Sequence, residues 1–182
     1  MSDTTDDLPD RGTGRPARTP GRGEAPLSRA LRSIIIASVT EAQRRNAPNV
    51  EAEHLLLALS LEKGTPAAAA LDAAGLDHAG IERMLRAERE ASLRYAGVEP
   101  VVEERLAAAP RVTRPRWGAS SRDVLVRAHR ESARSHRTRT AESDLLLAIL
   151  DLELGTVPRA LALVGVDKAA IAAHVGAAPT SL

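Results

Sequence analysis

Glu53 and His54 stand side by side at the head of a leucine-rich stretch, and an adjacent carboxylate and imidazole are the raw material of a metal or acid–base site. A zinc-type His-Glu-x-x-His motif needs a second histidine four residues after the first, so that both reach one ion from one helix face. Position 58 is Ala, and the motif fails. The other histidines are His78, His129, His136 and His174. His129 and His136 lie about two helical turns apart, too far to share an ion without further ligands. The only lysines are Lys63 and Lys168, neither in a glycine-rich loop, and no Gly-x-x-x-x-Gly-Lys-Ser/Thr is present to cradle nucleotide phosphates. Cysteine is absent, which excludes disulfides and thiolate chemistry. No serine sits in a nucleophile elbow. These residues predict a protein that is not an enzyme and takes no metal or cofactor.

What remains is binding chemistry. Arg127, Arg130, Arg134 and Arg137 recur at spacings of three and four, which on a helix makes a basic ridge. Between Arg111 and Arg139 there are nine arginines against Asp123 and Glu131, although the whole chain carries only +1. Such a ridge suits an acidic partner or phosphates. Nucleic acid is the weaker of these, because the chain is 1% aromatic and offers almost nothing to stack on bases. Solvated surface is the plain alternative. Trp117 is the sole tryptophan, a large side chain with a polar edge, and is a candidate ligand anchor. It can equally be a staple that covers the entrance of the helix behind it.

The elements that must position these residues come from a duplication. Glu53-His54-Leu55-Leu56-Leu57-Ala58-Leu59 is answered ninety residues later by Ser143-Asp144-Leu145-Leu146-Leu147-Ala148-Ile149. Ile34-Ile35 falls on Val124-Leu125, Glu41-Ala42 on Glu131-Ser132, and Gly75-Leu76-Asp77 on Gly165-Val166-Asp167. Gly64-Thr65-Pro66 matches Gly155-Thr156-Val157-Pro158 with one residue of slippage. The hydrophobic fraction of 43% is almost wholly Leu, Ile, Val and Ala, which suits closely packed helices.

Within the first unit, Ser28 caps a helix with Leu27 as its staple, and Leu31, Ile34, Ile35, Ser38 and Ala42 form its apolar stripe. Asn46-Ala47-Pro48-Asn49 breaks it, and a nearly all-apolar helix runs from about Glu51 to Leu61, with Glu51 and Glu53 in its first turn complementing the helix dipole. Thr65-Pro66 opens a third helix that Gly75 stops. Asp77 caps a fourth, carrying Ile81, Met84 and Leu85. Charges at Glu82, Arg86, Glu90 and Arg94 extend it as an exposed helix to Gly97. Pro100 to Pro110 brackets a short helix with Val102 and Leu106, and a basic connector leads to Trp117.

The expected fold class is all-α, with two pseudo-symmetric four-helix repeats in one domain. The tail is residues 1–26, too poor in apolar residues to order itself. Repeat one is 27–86, the connector 87–117, repeat two 118–176, and 177–182 a free end. No run is long enough to cross a bilayer, and the N-terminus lacks the apolar core of a secretory signal. A cytoplasmic monomer without membrane attachment is the expectation.

The duplicated pattern resembles the Clp N-terminal domain family. Its repeat is similar to an amphipathic helix ending in Glu-Ala, a polar turn, and Thr-Glu-His-Leu/Ile-Leu-Leu-Gly/Ala-Leu. Glu41-Ala42 and Ala52-Glu53-His54-Leu55-Leu56-Leu57-Ala58-Leu59 match closely, whereas repeat two has Glu142-Ser143-Asp144 in place of the polar triplet. The resemblance covers roughly Leu27 to Val175. It implies an eight-helix fold that binds peptides, degrons or adaptors of a Clp unfoldase–protease system. Without an ATPase motif, this chain would be a stand-alone copy, either an adaptor or a decoy that sequesters ligands. The family's peptide-receiving surface between repeats implies roles for Trp117, Leu27 and Ser28. The phosphoarginine sites of some relatives imply a carboxylate at Glu53 and a hydroxyl at Ser28, in repeat one only. Their repeat-two counterparts, Ser143 and Gly118, cannot supply these groups.

Overall fold

The computed structural model describes residues 26–98 and 111–177. The expected tail, the Pro100–Pro110 helix and the free end therefore lie, but for their border residues, outside the described residues. Eight helices are found among the described residues: α1 (Arg29–Arg44), α2 (Ala52–Leu61), α3 (Pro66–Ala73), α4 (His78–Tyr95), α5 (Ala119–Arg134), α6 (Glu142–Leu150), α7 (Thr156–Leu163) and α8 (Lys168–Ala177). Two short strands, β1 (Asn49–Val50) and β2 (Arg116–Trp117), join them. The all-α, two-repeat architecture is that expected from the sequence.

Local signals start and stop these helices. Ser28 Oγ accepts from Leu31 N at 3.0 Å, Thr65 Oγ1 from Ala68 N at 3.2 Å, and Asp77 Oδ1 from Gly80 N at 2.7 Å. Each satisfies an amide that the first helical turn leaves unpaired. Asn46 and His136, which are repeat mates, both take left-handed backbone (φ 52° and 50°) to end α1 and α5. Repeat two is capped less well. Gly155 precedes α7 at φ 110° and, having no side chain, gives it no side-chain cap.

The repeats are related by a pseudo-two-fold that the pairing makes explicit. Val50 of β1 pairs in parallel with Trp117 of β2, and Leu27 bridges in parallel to Thr140. Trp117 is the repeat mate of Leu27, and Thr140 that of Val50, so each contact is the other's image. Helix packing obeys the same rule. Helix α1 meets α6 as α5 meets α2, and α4 lies on α7 as α8 lies on α3. Helices α2 and α6 meet at the centre, which is why both are apolar around most of their circumference. Leu55, Leu56, Leu57 and Leu59 are buried from one repeat, and Leu145, Leu146 and Ile149 from the other. They share one core with Leu31, Ile34, Leu71, Ile81, Val124 and Leu161.

The segment expected as a connector is part of this frame at both ends. Its start continues α4 to Tyr95. Its end is pinned to the turn after α1: Val112 N donates to Asn46 Oδ1 at 2.6 Å, and Arg116 N to Pro48 O at 2.9 Å.

Candidate recognition surface

The seam between repeats gathers four helix N-termini in two pairs. In the first pair, Glu51 precedes α2 and its carboxylate lies over the start of α5. It accepts from Ser120 N at 3.1 Å and from Ser120 Oγ at 2.6 Å. Ser120 Oγ in turn accepts from Ala52 N at 2.9 Å, so each repeat satisfies the other's first turn. Ser121 Oγ donates to Val50 O at 2.6 Å and fixes the strand beside them. In the second pair, Ser28 N donates to Thr140 O at 2.9 Å, and Ser28 Oγ lies 3.4 Å from Glu142 Oε2 at the start of α6. A carboxylate thus stands at the positive end of α5 and another near that of α1.

Leu27 and Trp117 lie on this seam, each half-buried and packed against the core. The main-chain carbonyl of Trp117 accepts from Arg122 Nη2. Ser28 faces Glu142 of the other repeat, while Glu53 stands on α2, whose start meets α5. Glu53 is half-buried, and burial is the main cause that pushes its pKa above the usual carboxylate value, with Glu51 and Glu88 adding to it.

His54 has a structural task. Its Nδ1 accepts from Glu51 N at 2.9 Å, which caps α2 from within. Asp144 does the same in repeat two, where Oδ2 accepts from Ala141 N at 2.9 Å. The imidazole is buried, and burial together with the nearby Arg45 pulls its pKa down to about 4. Among the described residues no cluster of three His, Asp or Glu is placed to hold a metal ion.

The arginine ridge is not the free cationic surface that its spacing suggested. Helix α5 ends at Arg134, so Arg137 leaves the ridge and turns back to Asp144 Oδ1 at 2.9 Å. Arg127 is held by Asp123 and Asp151, both at 2.9 Å, and Arg134 lies 3.5 Å from Glu131. Arg130 has no ion-pair partner among the described residues. Arg127, Arg130 and Arg134 border an open groove of about 900 Å³ whose wall includes Asp123, Glu131 and Glu153 and whose apolar part includes Leu147 and Ala172. Acids of the same helix, Asp123 and Glu131, together with Asp144 and Asp151 beyond it, balance the arginines once the chain is folded.

Sequence reasoning missed the reciprocal use of Glu51 and Ser120. It took Glu51 to serve the dipole of its own helix, whereas the carboxylate serves α5. The available signal was the departure at position 118, where Gly stands in place of the capping Ser28 and leaves room for a group from elsewhere.

Residues 26–161 match the family described as the Clp repeat (R) N-terminal domain. The chain belongs to this family. Among solved structures, the Clp N-terminal fold here is similar to that of the N-terminal domain of the caseinolytic protease associated chaperone ClpD from Arabidopsis thaliana. The TM-score is 0.57 at 18% identity, covering 82% of this chain and 91% of that one. It is also similar to the Hsp104 N-terminal domain from Candida albicans, with a TM-score of 0.60 at 15% identity, covering 82% and 89%. At these identities the likeness concerns the fold. No curated protein matches the chain. In Clp unfoldases the Clp N-domain binds substrates and adaptors.

Proposed function

We propose that this Clp N-terminal domain is a non-enzymatic recognition module for peptides, degrons or adaptors of a Clp unfoldase–protease system. It acts either as an adaptor or as a decoy that withholds ligands from an unfoldase. The observation that carries this reading is the complete duplicated frame, with Leu27 and Trp117 at equivalent places on the seam between repeats. Both present apolar surface beside a main-chain edge, which is what an extended apolar peptide requires. Phosphoarginine is the less favoured ligand, because the phosphate would meet Glu51 at the start of α5 or Glu142 near the start of α1. Nucleic acid and acidic partners at the arginine ridge lose support because three of its four arginines are engaged by acids of the fold.

The test is affinity capture from native cytoplasm with the intact chain and with Trp117→Ala, alongside titration with an apolar or cyclic peptide. The expected result is enrichment of Clp subunits or their adaptors by the intact chain and not by the variant. The peptide should shift the sole tryptophan's emission to the blue and saturate. Capture dominated by nucleic acid would overturn the reading. Equal peptide affinity in the variant would remove Trp117 from the site.

A further inference from the structure

Away from the seam, α1 carries a face that nothing in the described fold covers. Arg29, Arg32, Ser33 and Ile36 are all exposed, Ile36 at 71%. Their spacing of three and four puts them on one outward side of the helix's first two turns. Among the described residues neither arginine makes an ion pair, and no acid stands in the first turn; Glu142 of α6 lies at the Ser28 cap, so the positive charge of this face is that of the two guanidinium groups. The equivalent face of α5 is a natural comparison. Val126, the repeat mate of Ile36, is also exposed, at 47%. There, however, Ala119 stands in the place of Arg29, and Arg122, the mate of Arg32, is drawn to the Trp117 carbonyl. Asp123 stands in the place of the neutral Ser33 and binds Arg127. The exposed aliphatic spot is duplicated, but among the described residues the two turns leading to it carry a pair of arginines and no acid on α1, whereas on α5 they carry Arg122 beside Asp123, and the unpaired Arg130 lies one turn beyond Val126.

We propose that this face of α1 is the docking surface for the chain's own first ten residues, Met1–Asp10. That segment contains Asp3, Asp6, Asp7 and Asp10, no Lys or Arg, and Leu8 among the acids. It is the chemical complement of Ile36 beside Arg29 and Arg32. Residues 11–28 join the two, and a chain of that length reaches at most about 60 Å. The Arg29–Ile36 stretch is only about 10 Å long, so the acidic segment can lie along it without strain. Single exposed ion pairs are weak. A tether raises the local concentration of the partner to the millimolar range, which is what lets weak pairs be populated. Arg11, Arg15, Arg18 and Arg22 compete for the same aspartates but offer Leu8 no aliphatic surface. Two arginines on the helix need only two of the four aspartates, so both sets of pairs can form together.

Because the chain has no cysteine, Ser2→Cys gives one attachment point for a nitroxide label on the full-length protein. Paramagnetic broadening of backbone amides then reports where the segment resides. The expected result is selective broadening at Arg29–Ile36 and not at Ala119–Val126, with signals restored by salt at about 0.5 M or by Arg29→Glu with Arg32→Glu. Both side chains are exposed, and glutamate suits the first turn of a helix, so the variant should fold. Broadening that is absent from α1, equal on both helices, or unchanged in the charge-reversed variant would overturn the proposal. So would broadening of an isotope-labelled chain by spin-labelled copies mixed with it, since the occupant would then be a second molecule.

Discussion

The carboxylate of Glu51 fills the space that a β-carbon on residue 118 would occupy. Gly118 therefore has no side chain for a reason of space, its backbone being ordinary extended chain at φ −78°. Gly118→Ala should force the carboxylate off the start of α5 and break its two bonds to Ser120. The expected loss is about 1–2 kcal/mol, that of a charge-assisted hydrogen bond at a helix start. Urea unfolding of Gly118→Ala, Glu51→Ala and the double variant checks this. The two single losses should fail to add, because each removes the same contact.

The central helices make a symmetric prediction. Leu56 and Leu146 are repeat mates, both buried where α2 meets α6. Leu56→Ala and Leu146→Ala should each cost about 2–5 kcal/mol, the range for a leucine removed from a core that cannot fully collapse. Thermal unfolding measures both. An unchanged midpoint in either variant would contradict a single core shared by the repeats.

How far these features were legible depends on whether their cause lies nearby in sequence. The caps at Ser28, Thr65 and Asp77 could be read directly, because donor and acceptor lie within three residues. The buried leucines were legible from the duplication. The ridge was legible only in part: Asp123 and Glu131 pair with Arg127 and Arg134 along the same helix, but Asp151 reaches Arg127 from the end of α6 and Asp144 claims Arg137 across a turn. A charge pattern along one helix records the pairs within that helix but not the acids, here Asp144 and Asp151, that the next element brings to it. For the same reason Glu51 looked like a dipole residue of α2, since its partner Ser120 is distant in the chain.

His54 should give the fold an acid-sensitive limb. Its Nδ1 must be unprotonated to accept from Glu51 N, and burial holds its pKa at about 4 against 6.5 for a free imidazole. Between these values the unfolded chain binds a proton that the folded chain refuses. The stability from this residue is thus fully present above about pH 6.5 and is lost as pH falls towards 4. A shift of that size corresponds to on the order of 3 kcal/mol. Glu53 and Asp144 act in the opposite sense, because their raised pKa values make the folded chain hold protons more readily, a contribution lost as pH rises. His54→Asn isolates the imidazole, since its amide oxygen can still accept the capping hydrogen bond as Asp144 does in repeat two. The expected outcome is a flatter stability profile between about pH 6.5 and 4 in the variant, measured by urea unfolding at each pH.

Charge reversal along the former ridge should separate its members. Arg137 lies against Asp144, whose carboxylate is buried at 1% exposure, and burial already raises the pKa of that acid despite the nearby guanidinium. Removing the cation leaves Asp144 only its bond from Ala141 N and a charge that the interior disfavours. Arg137→Ala should cost about 1–3 kcal/mol, tempered by the partial exposure of the arginine itself, and Arg137→Glu should cost more through repulsion. Arg130 is exposed and without an ion-pair partner among the described residues, so Arg130→Glu should change stability by no more than about 0.5 kcal/mol. Raised salt should narrow the gap only slightly, because a buried carboxylate is poorly screened. Equal effects of the two reversals on the unfolding midpoint would mean that Asp144 does not depend on Arg137, and that its capping bond to Ala141 alone satisfies it.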